Sequence, residues 1–191
     1  MKQIVQAMAV GVPVPGHHTP AVGPEAPFDM LEACHERVQR SLQLMHRLID
    51  HLQNKGHDAS AAQAASDVLR YFHVAAPLHH QDEELHVFPP LLALQDAQVT
   101  AAVEQLLRDH RAMEQAWSRA AQVLDTVAAP TSMPWRALDA AQLLQLQHFA
   151  GLYTAHIALE ENLVYPRARQ SLSAAALQAM SADMVARRSP R

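Results

Sequence analysis

The chain has 191 residues, a formal net charge of −4 with neutral histidines, and hydrophobic residues at 49% of its positions. This composition fits one globular domain, and the slight negative charge argues against a surface for nucleic acid. The single cysteine, Cys34, excludes an intramolecular disulfide and fits a reducing compartment. The start is a poor signal peptide, and no apolar run is long enough to span a membrane, so we expect a cytoplasmic protein without membrane contact.

Residues 1–28 are predicted to form an extended, proline-rich arm. Five prolines fall between residues 11 and 27, and such a run cannot hold a helix because proline lacks the backbone N–H. Asp29 is placed to cap the helix that follows, from Met30 to about Lys55, where apolar residues recur at helical spacing. Gly56 is expected to end that helix.

Three further long helices and a short one follow the same apolar period. They are expected from near Ser60 to about Phe88 with an interruption at Pro77, from about Ala97 to Val127, from about Trp135 to Arg169, and within the tail 171–191. Four long helices with short connections predict an all-α protein, an antiparallel up-down-up-down four-helix bundle over residues 29–170. A short C-terminal helix over 171–191 would complete the chain.

One motif occurs twice in the predicted bundle. The segments HHQDEELHVFP, at 79–89, and HIALEENLVYP, at 156–166, share a histidine, two consecutive glutamates, a valine, an aromatic residue and a proline. An upstream histidine accompanies each copy, since His35 precedes His79 by 44 residues and His110 precedes His156 by 46. Repeats of this size indicate a helical hairpin used twice.

The repeated spacing predicts a metal site. Residues four apart lie on one face of a helix, so each copy presents an imidazole and a carboxylate in one direction. Buried groups of this kind need partners, and a metal ion is a natural one. The candidate ligands are His35, His79, Glu83, His110, His156 and Glu160.

The size and chemistry of this set narrow the choice of metal. Six ligands exceed a structural zinc site, and the oxygens are too few for calcium. Imidazole mixed with carboxylate suits iron, manganese or zinc, and two ions bridged by two carboxylates would use all six groups. Two residues are possible additions: Glu114 lies one turn after His110, and His80 points about 100° away from His79, toward a supporting position or the surface.

These motifs resemble the hemerythrin-like, or HHE cation-binding, family. The resemblance covers about residues 30–170 and rests on HHQDEELHVFPPL and HIALEENLVYP. It implies a bundle with two non-haem iron ions, in which the four histidines are terminal ligands and Glu83 and Glu160 bridge the ions. Phe88 and Tyr165 are interpreted as core residues below the site, and Glu84 and Glu161 as solvated.

The sequence departs from the oxygen carriers of that family. Those proteins use a fifth histidine on the third helix, where this chain has Glu114, and an aspartate five residues after the last histidine, where it has Glu161 after Glu160. A more anionic ligand set favours ferric iron and argues against reversible oxygen carriage.

Three functions therefore stay open. The first is a protein that binds, senses or scavenges oxygen, nitric oxide or peroxide, or that handles iron. The second is a di-iron oxidase or peroxidase, and the third is a helical protein with adventitious metal. The sequence identifies neither a redox partner nor an oligomeric state.

Overall fold

The structure is a computed structural model that describes residues 26–129 and 135–188. Within those residues every regular element is helical. We number five helices in chain order. They are α1 (Pro27–Asn54), α2 (59–92), α3 (Ala97–Ala128), α4 (140–171) and α5 (Ala174–Arg188). Residues 1–25, which hold most of the predicted arm, and 130–134, in the loop predicted before the fourth helix, lie outside the described residues.

The first helix begins earlier than the sequence predicts. Its N-cap is Ala26, and Pro27 occupies the first helical turn, where the missing N–H of proline costs no hydrogen bond. The prediction that Asp29 caps the helix is therefore wrong; its carboxylate lies 3.3 Å from Arg169 on α4. As predicted, the helix ends just before Gly56, whose φ of +80° suits a residue without a side chain.

Aspartates set the starts of the next three helices. The side chain of Asp58 accepts a hydrogen bond from the backbone of Ala61, and Asp96 caps α3 in the same way. Asp139 and Gln142 form a reciprocal capping box. This cap fixes the start of α4 at Ala140, so the prediction of helix from Trp135 is wrong for its first five residues.

Helices α2 and α4 each contain one π turn. The predicted interruption of α2 at Pro77 is wrong, because the α-helix continues through this exposed residue to Asp82. The π turn Glu83–Val87 follows before an α-helical end. In α4 the corresponding π turn is Glu160–Val164. Each turn therefore begins at the glutamate of a His-x-x-x-Glu motif. The proline after each π turn stands in the first turn of the next α-helical segment, where its N–H is not needed.

Two apolar clusters fill the interior, and the candidate ligands lie between them. One cluster includes Phe72, Met113 and Phe149. The other includes Phe88 and Tyr165. On each of the four long helices, buried members of the two clusters precede and follow the candidate ligands. In the described part of the chain, no helix has the length and apolar run needed to cross a membrane.

The C-terminal helix packs on this second cluster. Met180 and Met184 are buried in it. Asp82, which is fully buried on α2, lies 2.6 Å from Arg187 and 2.5 Å from Arg188. These two arginines are therefore not a free, solvated end of the helix. They attach α5 to the helix that carries one copy of the repeated motif.

Candidate metal centre

The buried histidines and glutamates of the four long helices form two adjacent groups. In each group the ligand atoms lie within 4.8 Å of one another, and every member is buried. The first group, which we call the three-histidine position, contains His80, His110 and His156. The second, the two-histidine position, contains His35, His79, Glu83 and Glu160. Each group has the size and composition of a site for one metal ion.

The two glutamates connect the two positions. Oε1 of Glu83 lies 3.7 Å from Nε2 of His79, while its Oε2 lies 3.4 Å from Nε2 of His110. Oε1 of Glu160 lies 2.9 Å from Nε2 of His156, and its Oε2 lies 3.1 Å from Nε2 of His35. Each carboxylate therefore directs one oxygen to a histidine of each position. A carboxylate that bridges two ions requires this arrangement.

Several polar atoms of the site have no hydrogen-bonding partner among the described residues, although their side chains are buried. They are Nδ1 of His79, Oε2 of Glu83, Nε2 of His110, both ring nitrogens of His156 and both oxygens of Glu160. Some of these atoms contact one another, but without hydrogen-bond geometry. Burying unpaired groups costs about 1–3 kcal/mol each or more. Five of these seven atoms face the two positions and are metal-ligand types, so a bound cation fits this site; the Nδ1 atoms of His79 and His156 lie on the outer edges of their rings.

Protons compete with a cation for the same atoms. Burial lowers the pKa of His35, but the close carboxylates of Glu160, Glu161 and Glu83 together outweigh it and raise the pKa to about 9. Burial also lowers the pKa of His110, but its contacts with Glu160 and Glu83 together outweigh burial. The pKa of His110 therefore rises to about 10. Burial beside Glu160 raises the pKa of Glu83 to about 7. A metal ion that enters must therefore displace protons.

The histidines also contact carboxylates on the side away from the two positions. Nδ1 of His110 lies 2.9 Å from Oε1 of Glu84, and Nδ1 of His35 lies 2.8 Å from Oε1 of Glu161. Both glutamates come from the π turns, directly after Glu83 and Glu160. The sequence interpretation placed them on a solvated face and missed this contact. Such carboxylates fix the tautomer and orientation of a metal-binding histidine.

The aromatic residues of the two motif copies differ at the site. Phe88 stacks on His110 with ring centroids 5.7 Å apart, and Tyr165 stacks on His35 at 5.5 Å. Both rings are buried, as the sequence predicts. However, the hydroxyl of Tyr165 donates a hydrogen bond to Oε1 of Glu83 at 2.5 Å, so this residue is part of the polar site as well as of the core.

The structure brings together all six ligands predicted from the sequence, and it adds His80. The ring of His80 is buried and stacks on His110 with centroids 3.9 Å apart. His79 and His80 point about 100° apart on an α-helix. A site with two positions can use both directions, because each histidine faces a different position.

Glu114 does not join either group. Its side chain is exposed, and its carboxylate lies 2.7 Å from Arg111 on the outside of α3. His80, in contrast, is a fifth buried histidine grouped with the other candidate ligands. Glu114 lines a small pocket beside His80, so it borders the site without belonging to either group.

A small pocket lies beside the three-histidine position. Its volume is about 50 Å³, and His80 and Glu114 line it together with apolar and aromatic side chains of α2, α3 and α4. The lining residues include Phe72, Met113, Trp117 and Tyr153. One water-sized probe needs roughly 10–15 Å³, so the pocket has room for a diatomic molecule or peroxide and not for a large organic substrate.

Comparisons with known proteins agree with this site. An uncharacterized protein of Haemophilus influenzae is 33% identical over 162 residues, which span 85% of this chain and 90% of that protein. The family described as the hemerythrin HHE cation binding domain matches residues 26–168, a range that contains every residue of both metal positions. The chain therefore belongs to the hemerythrin HHE cation-binding family.

Proposed function

We propose that this protein binds two iron ions, one at each position, with Glu83 and Glu160 as bridging carboxylates. The observation that carries the proposal is that each of these glutamates directs one oxygen to each position. The terminal ligands would be His80, His110 and His156 at one position and His35 and His79 at the other. Mixed imidazole and carboxylate ligands also suit zinc and manganese, which are the competing metals.

We further propose that the site binds, senses or scavenges a small oxidant, such as oxygen, nitric oxide or peroxide. Ferrous ions supply the electrons and the open coordination positions for this chemistry. The chain supplies a buried site, the hydrogen bonds of Glu84 and Glu161 to ligand histidines, and the small pocket lined by His80. This pocket is too small for a large substrate, and a larger one of about 350 Å³ touches Glu161 but is lined by none of the seven candidate ligands. Both observations favour this function over an oxidase of organic molecules. A peroxidase remains the alternative.

Two wider predictions from the sequence belong to the same proposal. The antiparallel up-down-up-down order of the four long helices is expected from their short connections and from the contact of α1 with α2 and of α2 with α3. A cytoplasmic location fits the lone buried Cys34.

Metal analysis of protein purified without a histidine tag tests the metal content. We expect about two iron ions per chain and antiferromagnetic coupling in the Mössbauer spectrum of the oxidised protein. Glu83→Ala and Glu160→Ala should each lose at least one ion and lower the melting temperature, because metal binding stabilises the folded state. Glu36→Ala, at an exposed position of α1, is the matched control. One tetrahedral zinc ion without a second metal would overturn the proposal.

Stopped-flow absorbance tests which small oxidant reacts with the site. Reduced, iron-loaded protein is mixed with oxygen, nitric oxide or hydrogen peroxide in separate experiments. We expect rapid oxidation or adduct formation with at least one of them, and slower reaction when Met113→Trp fills the pocket. Leu144→Trp, at an exposed position of α4, controls for the added tryptophan. Identical rates in the filled and control variants would show that the pocket is not the route.

A further inference from the structure

The two metal positions differ in their protein ligands. Both share Glu83 and Glu160, but one has three histidines and the other has two, His35 and His79. On the side of the two-histidine position lies the hydroxyl of Tyr165, which is fully buried. The equivalent residue of the first motif copy is Phe88, which has no oxygen. The two motif copies therefore differ beside the two-histidine position, which has one histidine fewer than the other position.

The distances place the Tyr165 oxygen among the donor atoms of that position. It lies 3.2 Å from Nε2 of His35 and 2.5 Å from Oε1 of Glu83. Nε2 of His35 is in turn 3.1 Å from Nε2 of His79 and 3.1 Å from Oε2 of Glu160. Donors that bind one ion with bonds of about 2 Å lie roughly 3 Å apart. The phenol oxygen is as close to its neighbours as the other donors are to theirs.

We propose that Tyr165 is a further metal ligand, binding through its phenolate oxygen the ion held by His35 and His79. The inference rests on the proposed two-ion site and adds a residue to it. Each position then receives three terminal side chains and the two shared carboxylates. The metal–oxygen bond forms as the O–H bond of the phenol breaks, and the proton leaves to solvent. No electron is transferred in this step.

The competing interpretation is that Tyr165 remains a phenol that donates its hydrogen bond to Glu83. The two arrangements give different spectra in the ferric protein. A phenolate bound to ferric iron has a charge-transfer band in the visible region, and excitation within it enhances phenolate vibrations in the resonance Raman spectrum. A phenol bonded to a carboxylate has neither.

The experiment uses the full chain loaded with ferric iron, with the iron content of each sample measured first. We expect the visible band and phenolate vibrations in the unmodified protein, and their loss in Tyr165→Phe. Tyr153→Phe and Tyr71→Phe remove the other tyrosines and should retain both signals. Tyr165→Phe should also lower the affinity for one of the two ions by about 10- to 100-fold in a chelator competition, which is the usual effect of removing a residue that supports a metal site.

Incorporation of ring-deuterated tyrosine keeps the test decisive if Tyr165→Phe does not fold. The enhanced vibrations of the unmodified protein must then shift with the isotope. Two iron ions per chain without any phenolate vibration, or a band that persists in Tyr165→Phe, would overturn the assignment of Tyr165. A protein that does not take up two iron ions would instead overturn the proposed di-iron site.

Discussion

Oε1 of Glu84 lies 2.9 Å from Nδ1 of His110, on the ring edge opposite the nitrogen that faces the metal positions. Arg111 holds the other oxygen of the same carboxylate at 2.7 Å. In the second motif copy, Glu161 makes the corresponding contact with His35 at 2.8 Å. Each half of the repeat thus supplies a metal-facing glutamate and, at the next residue, a glutamate that supports a histidine from another helix.

Replacing the supporting carboxylates tests their effect on metal affinity. Glu84→Gln and Glu161→Gln keep the size of the side chain but remove the charge that strengthens the bound imidazole. We expect each to weaken metal binding about 10- to 100-fold, measured by competition with a coloured chelator. Glu36→Gln, on the exposed face of α1, should leave the affinity unchanged. An equal affinity in all three variants would mean that the two contacts do not support the histidines.

His80 and Glu114 give opposite predictions. His80 is buried against His110, whereas Glu114 is exposed and paired with Arg111. We expect His80→Ala to lose the ion at the three-histidine position and Glu114→Ala to retain both ions. Metal analysis after gel filtration distinguishes these outcomes. Loss of iron from Glu114→Ala would show that its side chain turns inward when the metal binds.

The stability of the metal-free protein should depend on pH. Contacts with Glu160 and Glu161 outweigh burial and raise the pKa of His35 to about 9, and contacts with Glu160, Glu83 and Glu84 similarly raise that of His110 to about 10. Because these values exceed the ordinary 6.5, the folded state holds protons that the unfolded chain releases. This stabilisation is complete below the ordinary pKa and is lost as the pH rises through the raised values.

Three further groups of the site titrate below this range. Burial beside Glu160 raises the pKa of Glu83 to about 7, and burial lowers the pKa of His79 and His80. Above neutral pH the two raised histidines therefore dominate, and the melting temperature of the metal-free protein should fall between about pH 7 and pH 10. The metal-loaded protein should lack this fall, because the ion has replaced the protons. Calorimetric melts of both forms measure the difference, and parallel curves would contradict it.

The attachment of α5 depends on Asp82. Its carboxylate is fully buried between Arg187 and Arg188, which are partly exposed. Asp82→Ala leaves both guanidinium groups without this partner and should lower the free energy of unfolding by about 3 kcal/mol. Asp183→Ala removes a half-exposed contact with Arg187 and His86 and should cost about 1 kcal/mol or less. Urea unfolding of the metal-free variants measures both, and equal losses would contradict a special role for Asp82.

The sequence predicts the helices and the principal candidate ligands because both depend on short periods. Spacing of four residues places His79 with Glu83 and His156 with Glu160, and the repeat pairs the two sets. The supporting role of Glu84 and Glu161 could not be predicted, because it depends on a π turn and on a histidine from a distant helix. The same is true of the Tyr165 hydroxyl, whose partners lie on α1 and α2.

His80 shows a different limit of the sequence pattern. A site with a single metal position can be reached by only one of two adjacent side chains on a helix, so the sequence pattern favours His79. A site with two metal positions can be reached by both residues. The doubled histidine, His79-His80, before the first pair of glutamates is the signal that could have identified a second position; the second motif copy has His156 alone at this place.

The paired π turns bear on the ancestry of the chain. A π turn amounts to one residue inserted into an α-helix, and it persists mainly where function maintains it. Here the insertion occupies the same place in both halves, directly at the glutamate of each motif. A single insertion in an ancestral hairpin, followed by duplication of its gene segment, accounts for both turns with one event. Phe88 and Tyr165, which stand at equivalent places after the two turns, are where the halves now differ at the site.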